Sequence, residues 1–185
     1  SPTMAFKDMA LQILPHLMTR AQAKAGEEGR IVILAATSGD TGKAALEGFA
    51  DVPGTEVIVF YPEEGVSAIQ KLQMTTQEGE NTAVFGIQGN FDDAQRGVKE
   101  IFHDRELAER LRGHGWSLSS TNSINWGRLV PQIVYYFRAY ADAVAAERIQ
   151  PGESVLFCVP TGNFGDILAG YYARKMGLPV KRFIC

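Results

Sequence analysis

Residues 30–37, RIVILAAT, form an unbroken apolar run with β-branched residues, and no other stretch restricts the fold as much. A strand with one wet face alternates apolar and polar residues. A run without polar gaps belongs to a parallel strand covered on both faces. SGDTGKAALEGFA follows at once and starts a helix. The alternation then repeats through strand EVIVFYP (56–62), helix VSAIQKLQMTTQ (66–77) and strand TAVFGIQ (82–88). FDDAQRGVKEIFHDRELAERL (91–111) reads as one or two helices, with Asp92 and Asp93 suited to its start. A helix over 127–147, a buried strand ESVLFCVP (153–160), a helix over 166–176 and the segment VKRFIC complete the order. Strands alternating with helices build an α/β fold, a mainly parallel sheet with helices on both faces and right-handed crossovers. Ligands of such sheets gather at the carboxyl ends of the strands. STNSIN (120–125) interrupts the alternation and is the candidate domain boundary.

Composition narrows the function classes. A net charge of -3 gives no electrostatic reason to expect nucleic acid or an anionic membrane. No apolar run approaches the ~20 residues of a membrane span, and no secretory signal opens the chain. Cys158 and Cys185 have no metal-type spacing, and their apolar neighbours predict buried free thiols, which suits a reducing, cytoplasmic setting. His16, His103 and His114 read as solvated or structural, so no metal is expected. The chain begins inside a motif and stops on RFIC, which reads like a strand just starting; a piece of a longer protein is expected.

The opening SPTMAFKDMALQ places Lys7 at the threshold of a helix over 7–24. Phe6, Met9, Ile13 and Leu17 make one apolar line along it, and Leu11, Leu14 and Met18 a second. Gln12, His16 and Thr19 form a narrow polar stripe. Two apolar lines predict burial around most of the circumference. Pro15 is expected to bend this helix. An ammonium at a helix N-terminus is electrostatically misplaced. Burial strips a lysine of its hydration and makes its amine available as a nucleophile.

Two glycine loops follow strands and open helices. TSGDTG (37–42) offers Gly39 and Gly42 for close backbone approach and a helix start for an anion. Gly42-Lys43 echoes a nucleotide-binding loop, but Thr37 stands where glycine is required and Ala44 where Ser or Thr is. An ordinary strand-to-helix turn capped by Ser38 or Asp40 reads the same residues. PTGNFGD (160–166) has Gly162 and Gly165 three apart, as in an anion-cradling turn, or a plain turn with a capping Asp166. It lacks a dinucleotide fingerprint. A reactive lysine with two anion-suited loops describes an aldehyde cofactor bearing a phosphate, the logic of a pyridoxal-phosphate site.

PTMAFKDMALQ, AATSGDTGKAA, STNSINWGRLVPQIVYYF and VPTGNFGD, in this order, resemble the bacterial-type threonine synthases, pyridoxal-phosphate enzymes of the tryptophan synthase β-like fold. The resemblance runs through the whole chain and covers under half of a typical member. It implies a smaller α/β domain over 1–125 and the first part of the larger cofactor-binding domain over 126–185. It implies that Lys7 forms the Schiff base with pyridoxal 5'-phosphate and moves protons. Asp40 would contact the ring hydroxyl, and Gly162, Asn163, Phe164 and Gly165 would wrap the cofactor phosphate. Ser38, Gly39 and Thr41 would face the substrate carboxylate. Ser123, Asn125 and Arg128 would bind the phosphate of O-phospho-L-homoserine, with Trp126 packing beside them. The implied reaction yields L-threonine and phosphate. This piece alone is expected to be inactive and to self-associate. The rivals are another enzyme of the same fold, such as a threonine dehydratase, and a noncatalytic phosphate-binding module.

Overall fold

The computed structural model describes residues 1–122, 125–160 and 164–185. The chain divides into two compact units, Ser1–Asn122 and Ser123–Cys185.

The first unit grows around the apolar run. It forms β1 (Arg30–Ala36), with Ile31 through Ala35 all buried. β2 (Thr55–Pro62) pairs with one edge of β1 and β4 (Trp116–Ser120) with the other, while β3 (Thr82–Ile87) extends the sheet beyond β2. The order is β3-β2-β1-β4 and every pairing is parallel, with Ile33 opposite both Val57 and Ser119. The helices are α1 (Asp8–Ala25), α2 (Asp40–Phe49), α3 (Ala68–Thr75), α4 (Phe91–His103) and α5 (Arg105–Gly113).

Alternate residues of β1 serve two different cores, which is why the run has no polar gap. Ile31, Ile33 and Ala35 pack with Leu11, Leu14, Leu46, Phe49 and Met74 from α1, α2 and α3. Val32 and Leu34 pack with Val98 of α4, bordered by Ile58, Phe60 and Leu118. The contact between α1 and α2 is backbone on backbone. A Cβ added to Gly48 would stand 2.2 Å from the Leu11 carbonyl oxygen, so only glycine permits the approach. The 91–111 segment is two helices because Asp104 ends one and caps the next, accepting from the Leu107 N–H at 2.9 Å. Asn90, with Asp93, makes the capping box that starts α4.

Three expectations need correction in the first unit. α1 buries one line, Ala10, Leu11, Leu14 and Pro15, while Phe6, Met9, Ile13 and Leu17 stay 39–47% exposed. The reason is that one face of α1 packs on α2 and the core behind it while, among the described residues of the unit, no element lies over the opposite face. β4 had no counterpart in the sequence reading: WSLSS is short and half polar, and it is held by its ladder to β1. The glycines of TSGDTG accommodate protein rather than open space, as described below.

The second unit contains α6 (Trp126–Leu129), a 3-10 turn (Val130–Gln132), α7 (Ile133–Ala145), β5 (Val155–Cys158), α8 (Phe164–Lys175) and β6 (Val180–Ile184). The expected single helix over 127–147 is interrupted because Pro131, lacking an N–H, sits in the 3-10 turn. β5 and β6 form a parallel pair. Tyr136, Ala169, Ala173, Leu178 and Val180 make the core, bordered by Phe157 and Phe183. Gly170 lets two rings lie across α8: a Cβ there would stand 2.6 Å from the Tyr136 ring and 2.7 Å from the Phe183 ring. The strand expected to be buried over 153–160 is half covered, with Leu156 56% exposed. For the same reason the thiols expected to be buried are not: Cys158, on the open side of β5, and Cys185, just past β6, are both exposed. Among the described residues, no helix is long and apolar enough to cross a membrane.

Candidate active site

Lys7 immediately precedes α1 and is 8% exposed. Its Nζ donates to Asp40 Oδ2 at 2.6 Å and lies 4.4 Å from the centre of the Phe6 ring. No side chain caps α1. The approach is fixed instead by Asp8, which is 3% exposed and accepts from the Thr3 N–H at 2.9 Å and from the hydroxyls of Thr3 and Ser1. Burial alone would raise the Asp8 carboxyl, but the hydrogen bonds from Ser1, Thr3 and Ala5 outweigh it and hold the group below its usual range. The loop carrying Lys7 is thereby tied down from the residue beside it.

The Thr37–Asp40 turn delivers Asp40 to Lys7. The expected caps, Ser38 and Asp40, make no capping bond; buried Thr37 does. Thr37 Oγ1 accepts from the N–H groups of Gly39 and Gly42, each at 3.0 Å, and donates to the Gly39 carbonyl at 3.1 Å. Its bonding capacity is then full. The first N–H groups of a helix have no partner inside it. Among the described residues, no acceptor of the protein meets those of Asp40 and Thr41. Ser38 is exposed, Gly39 buried and Thr41 half-buried.

α3 covers this turn. A Cβ on Gly39 would stand 2.4 Å from Gln70 Nε2, and one on Gly42 would stand 3.0 Å from Met74 Sδ and 2.4 Å from Thr37 Cγ2. Gly42 is therefore required by the neighbouring Thr37, while the space over Gly39 is filled by the Gln70 amide. Gln70 and Met74 are one helical turn apart and escaped the sequence reading, which gave 66–77 as a helix and singled out none of its side chains.

In the second unit, Asn125 caps α6, its Oδ1 accepting from the Gly127 N–H at 2.9 Å. Arg128 is 3% exposed, and its carbonyl accepts from Gln132 Nε2 at 2.8 Å. Trp126 is 58% exposed and meets Tyr172 edge-on. Ser123, Gly162 and Asn163 lie outside the described residues. Phe164, exposed, and Gly165 begin α8. Asp166 in the first turn of α8 is drawn to Tyr136, whose hydroxyl lies 3.0 Å from the Asp166 carbonyl and 3.3 Å from Oδ2. Burial pushes the Asp166 carboxyl up, opposed by the Tyr136 hydrogen bond. Burial and the nearby carboxylate push the Tyr136 hydroxyl far up as well. Tyr136 thus stays a donor and keeps Asp166 occupied, a partner that a spacing of 30 residues hid from the sequence reading. His16, His103 and His114 are exposed. No cluster of metal-ligating side chains is found among the described residues.

The arrangement offers a shielded amine, a carboxylate holding it, and backbone N–H groups beside them. That donor set fits an aldehyde-bearing cofactor and an acidic small molecule.

Residues 1–184 match the family model described as pyridoxal-phosphate dependent enzyme. Threonine synthase of Pseudomonas aeruginosa is 49% identical over 183 residues, covering 99% of this chain and 36% of that protein. Human threonine synthase-like 1 is 45% identical over 190 residues, covering 100% of this chain and 25% of its own length. The crystal structure of pyridoxal-phosphate-bound threonine synthase from Brucella melitensis superposes with a TM-score of 0.84 at 46% identity, covering 99% of this chain and 37% of that one. The fold is accordingly the fold type II kind of these enzymes, present in part. The chain spans about a third of the length of the bacterial relatives it matches.

Proposed function

Because the chain belongs to the pyridoxal-phosphate-dependent enzyme family, we propose that it carries part of the machinery of a threonine synthase, converting O-phospho-L-homoserine and water to L-threonine and phosphate. The observation that carries this reading is the buried Lys7 amine held by Asp40 at 2.6 Å, beside a turn with N–H groups to spare. When bound, pyridoxal 5'-phosphate supplies an aldehyde for a lysine amine and an electron sink for the substrate carbanion.

The chain's own residues divide the remaining tasks. Lys7 Nζ takes the substrate's Cα proton and then the Cβ proton whose loss expels phosphate from Cγ, and it is the group to return protons to Cγ and, once water has added at Cβ, to Cα. Asp40 orients Lys7 and meets the ring hydroxyl of the cofactor. Ser38, Gly39 and Thr41 hold the substrate carboxylate, a role helped by the N–H groups of the turn. Asn125, Arg128 and Ser123 hold the substrate phosphate, for which a guanidinium supplies a planar fork of donors. Gly162, Asn163, Phe164 and Gly165 give backbone donors to the cofactor phosphate. Asp166, engaged by Tyr136, is kept from opposing that anion. We place the enzyme in the cytoplasm, with no nucleic-acid or membrane partner.

The test uses the whole protein. Borohydride reduction with pyridoxal phosphate and peptide mapping is expected to label Lys7, and Lys7→Ala to remove both the label and phosphate release. Arg128→Ala is expected to lower phosphohomoserine turnover by roughly one to two orders of magnitude, the scale of a charge-assisted hydrogen bond, with the cofactor spectrum unchanged. Labelling at Lys43 or Lys71 would overturn the reading.

A further inference from the structure

We propose that Gln70 is a binding residue for the α-carboxylate of the amino-acid substrate, donating a side-chain N–H above the Ser38–Thr41 turn. The inference rests on the threonine synthase reading, because it takes that turn as the carboxylate site.

Three observations combine. First, the Gln70 amide occupies the space that a side chain on Gly39 would need, with Nε2 nearest the turn. Second, Ser67 engages the oxygen end of the amide. The Ser67 hydroxyl, which caps α3 by accepting from the Gln70 N–H at 3.2 Å, lies 3.0 Å from Gln70 Oε1 and donates to it. With the oxygen so occupied, the NH2 group is the end turned to Gly39, and among the described residues no acceptor of the protein meets it. Third, the neighbouring backbone supplies donors of the same kind, the N–H groups of Asp40 and Thr41. A backbone turn and a side-chain amide that both offer donors over Gly39 suit an acceptor-only ligand with two oxygens, which is a carboxylate.

The geometry also assigns α3 a task. Met74 packs on Gly42 one turn later, so the helix is seated over both glycines of the turn.

The experiment titrates the cofactor-loaded whole protein, following the cofactor absorbance, with L-threonine and with 1-aminopropan-2-ol, the same amine without a carboxylate. Gln70→Met keeps length and bulk but removes the donors. Gln70→Glu keeps the shape and replaces the NH2 by an acceptor. Gln70→Met is expected to weaken L-threonine binding roughly tenfold or more, the scale for a hydrogen bond to a charged group. Gln70→Glu is expected to weaken it further, and neither variant to change the weaker binding of 1-aminopropan-2-ol. Wild-type affinity for L-threonine in Gln70→Met, or an equal loss for both ligands, would overturn the assignment while leaving the functional reading intact. A wild-type protein whose spectrum responds to neither ligand would overturn the functional reading, and the role of Gln70 with it.

Discussion

Asp8 is nearly as inaccessible as any hydrophobic residue in α1, yet it stays ionised because hydrogen bonds from Ser1, Thr3 and Ala5 outweigh its burial. Its carboxyl titrates lower in the folded chain than in the unfolded one, so its contribution is full above about pH 4 and disappears as pH falls through the depressed folded value. Asp8→Asn is expected to cost about 1–2 kcal/mol at pH 7, the scale of hydrogen bonds to a charged group. Thermal unfolding of both proteins should show that difference shrinking toward pH 3; a difference independent of pH would remove the carboxylate from this role. Lys7 stood out in the sequence because a lysine at an apolar threshold is a local signal, whereas Asp40 came into view only through the family resemblance, its local reading as a turn cap having failed. Thr37, Asp8 and Gln70 were not legible there. Each acts through a hydroxyl, carboxylate or amide whose partners are fixed only when the backbone closes, and neither composition nor periodicity encodes that closure.

Helices carry the same lesson through their glycines. Gly97 lies within α4 and a Cβ there meets nothing within 4 Å, beside an apolar cleft of about 180 Å³ lined by Phe60, Ile87, Val98 and Ile101. Gly97→Ala is therefore expected to stabilise the chain by about 1 kcal/mol, the difference in helix propensity. Gly170 lies in α8 against two ring edges, and Gly170→Ala is expected to destabilise by about 1–3 kcal/mol, as overpacking does. Denaturant midpoints of the two variants should move in opposite directions. Equal shifts would mean that propensity decides both. The sequence displays two glycines in apolar helical patterns and no means of telling them apart; the rings of Tyr136 and Phe183 arrive from α7 and β6. Strands show the converse. β1 was readable because burial on both faces leaves an unbroken apolar record, whereas β4, with Ser117, Ser119 and Ser120, owes its conformation to its partner.

Across the whole molecule, protection is unevenly distributed. In the first unit β1 is bonded along both edges and covered on both faces. In the second, β5 has β6 as its sheet partner, and Leu156 and Ile184 are 56% and 46% exposed. Native-state hydrogen exchange on the 185-residue chain should find the slowest amides at Ile33, Leu34 and Val57, with those of β5 opening at lower free energy. Slower exchange in β5 than in β1 would contradict this order. The exposed side of β5, with Cys158 on it, is also where self-association of the chain is expected, and a concentration-dependent sedimentation coefficient would register it.

Gly48 stands at the far end of α2 from Asp40 and touches no candidate ligand group, yet α1 rests on it through the Leu11 carbonyl. Any side chain there lifts α1, and Lys7 rides at the head of that helix, one hydrogen bond from Asp40. For heritable variation this makes codon 48 a bottleneck. Every missense change reachable from glycine adds at least a methyl, so each one alters the reach between the amine and its carboxylate. A saturation scan selected on the proposed threonine synthase activity should score position 48 as severely as the lysine, although a map of ligand contacts would leave it blank.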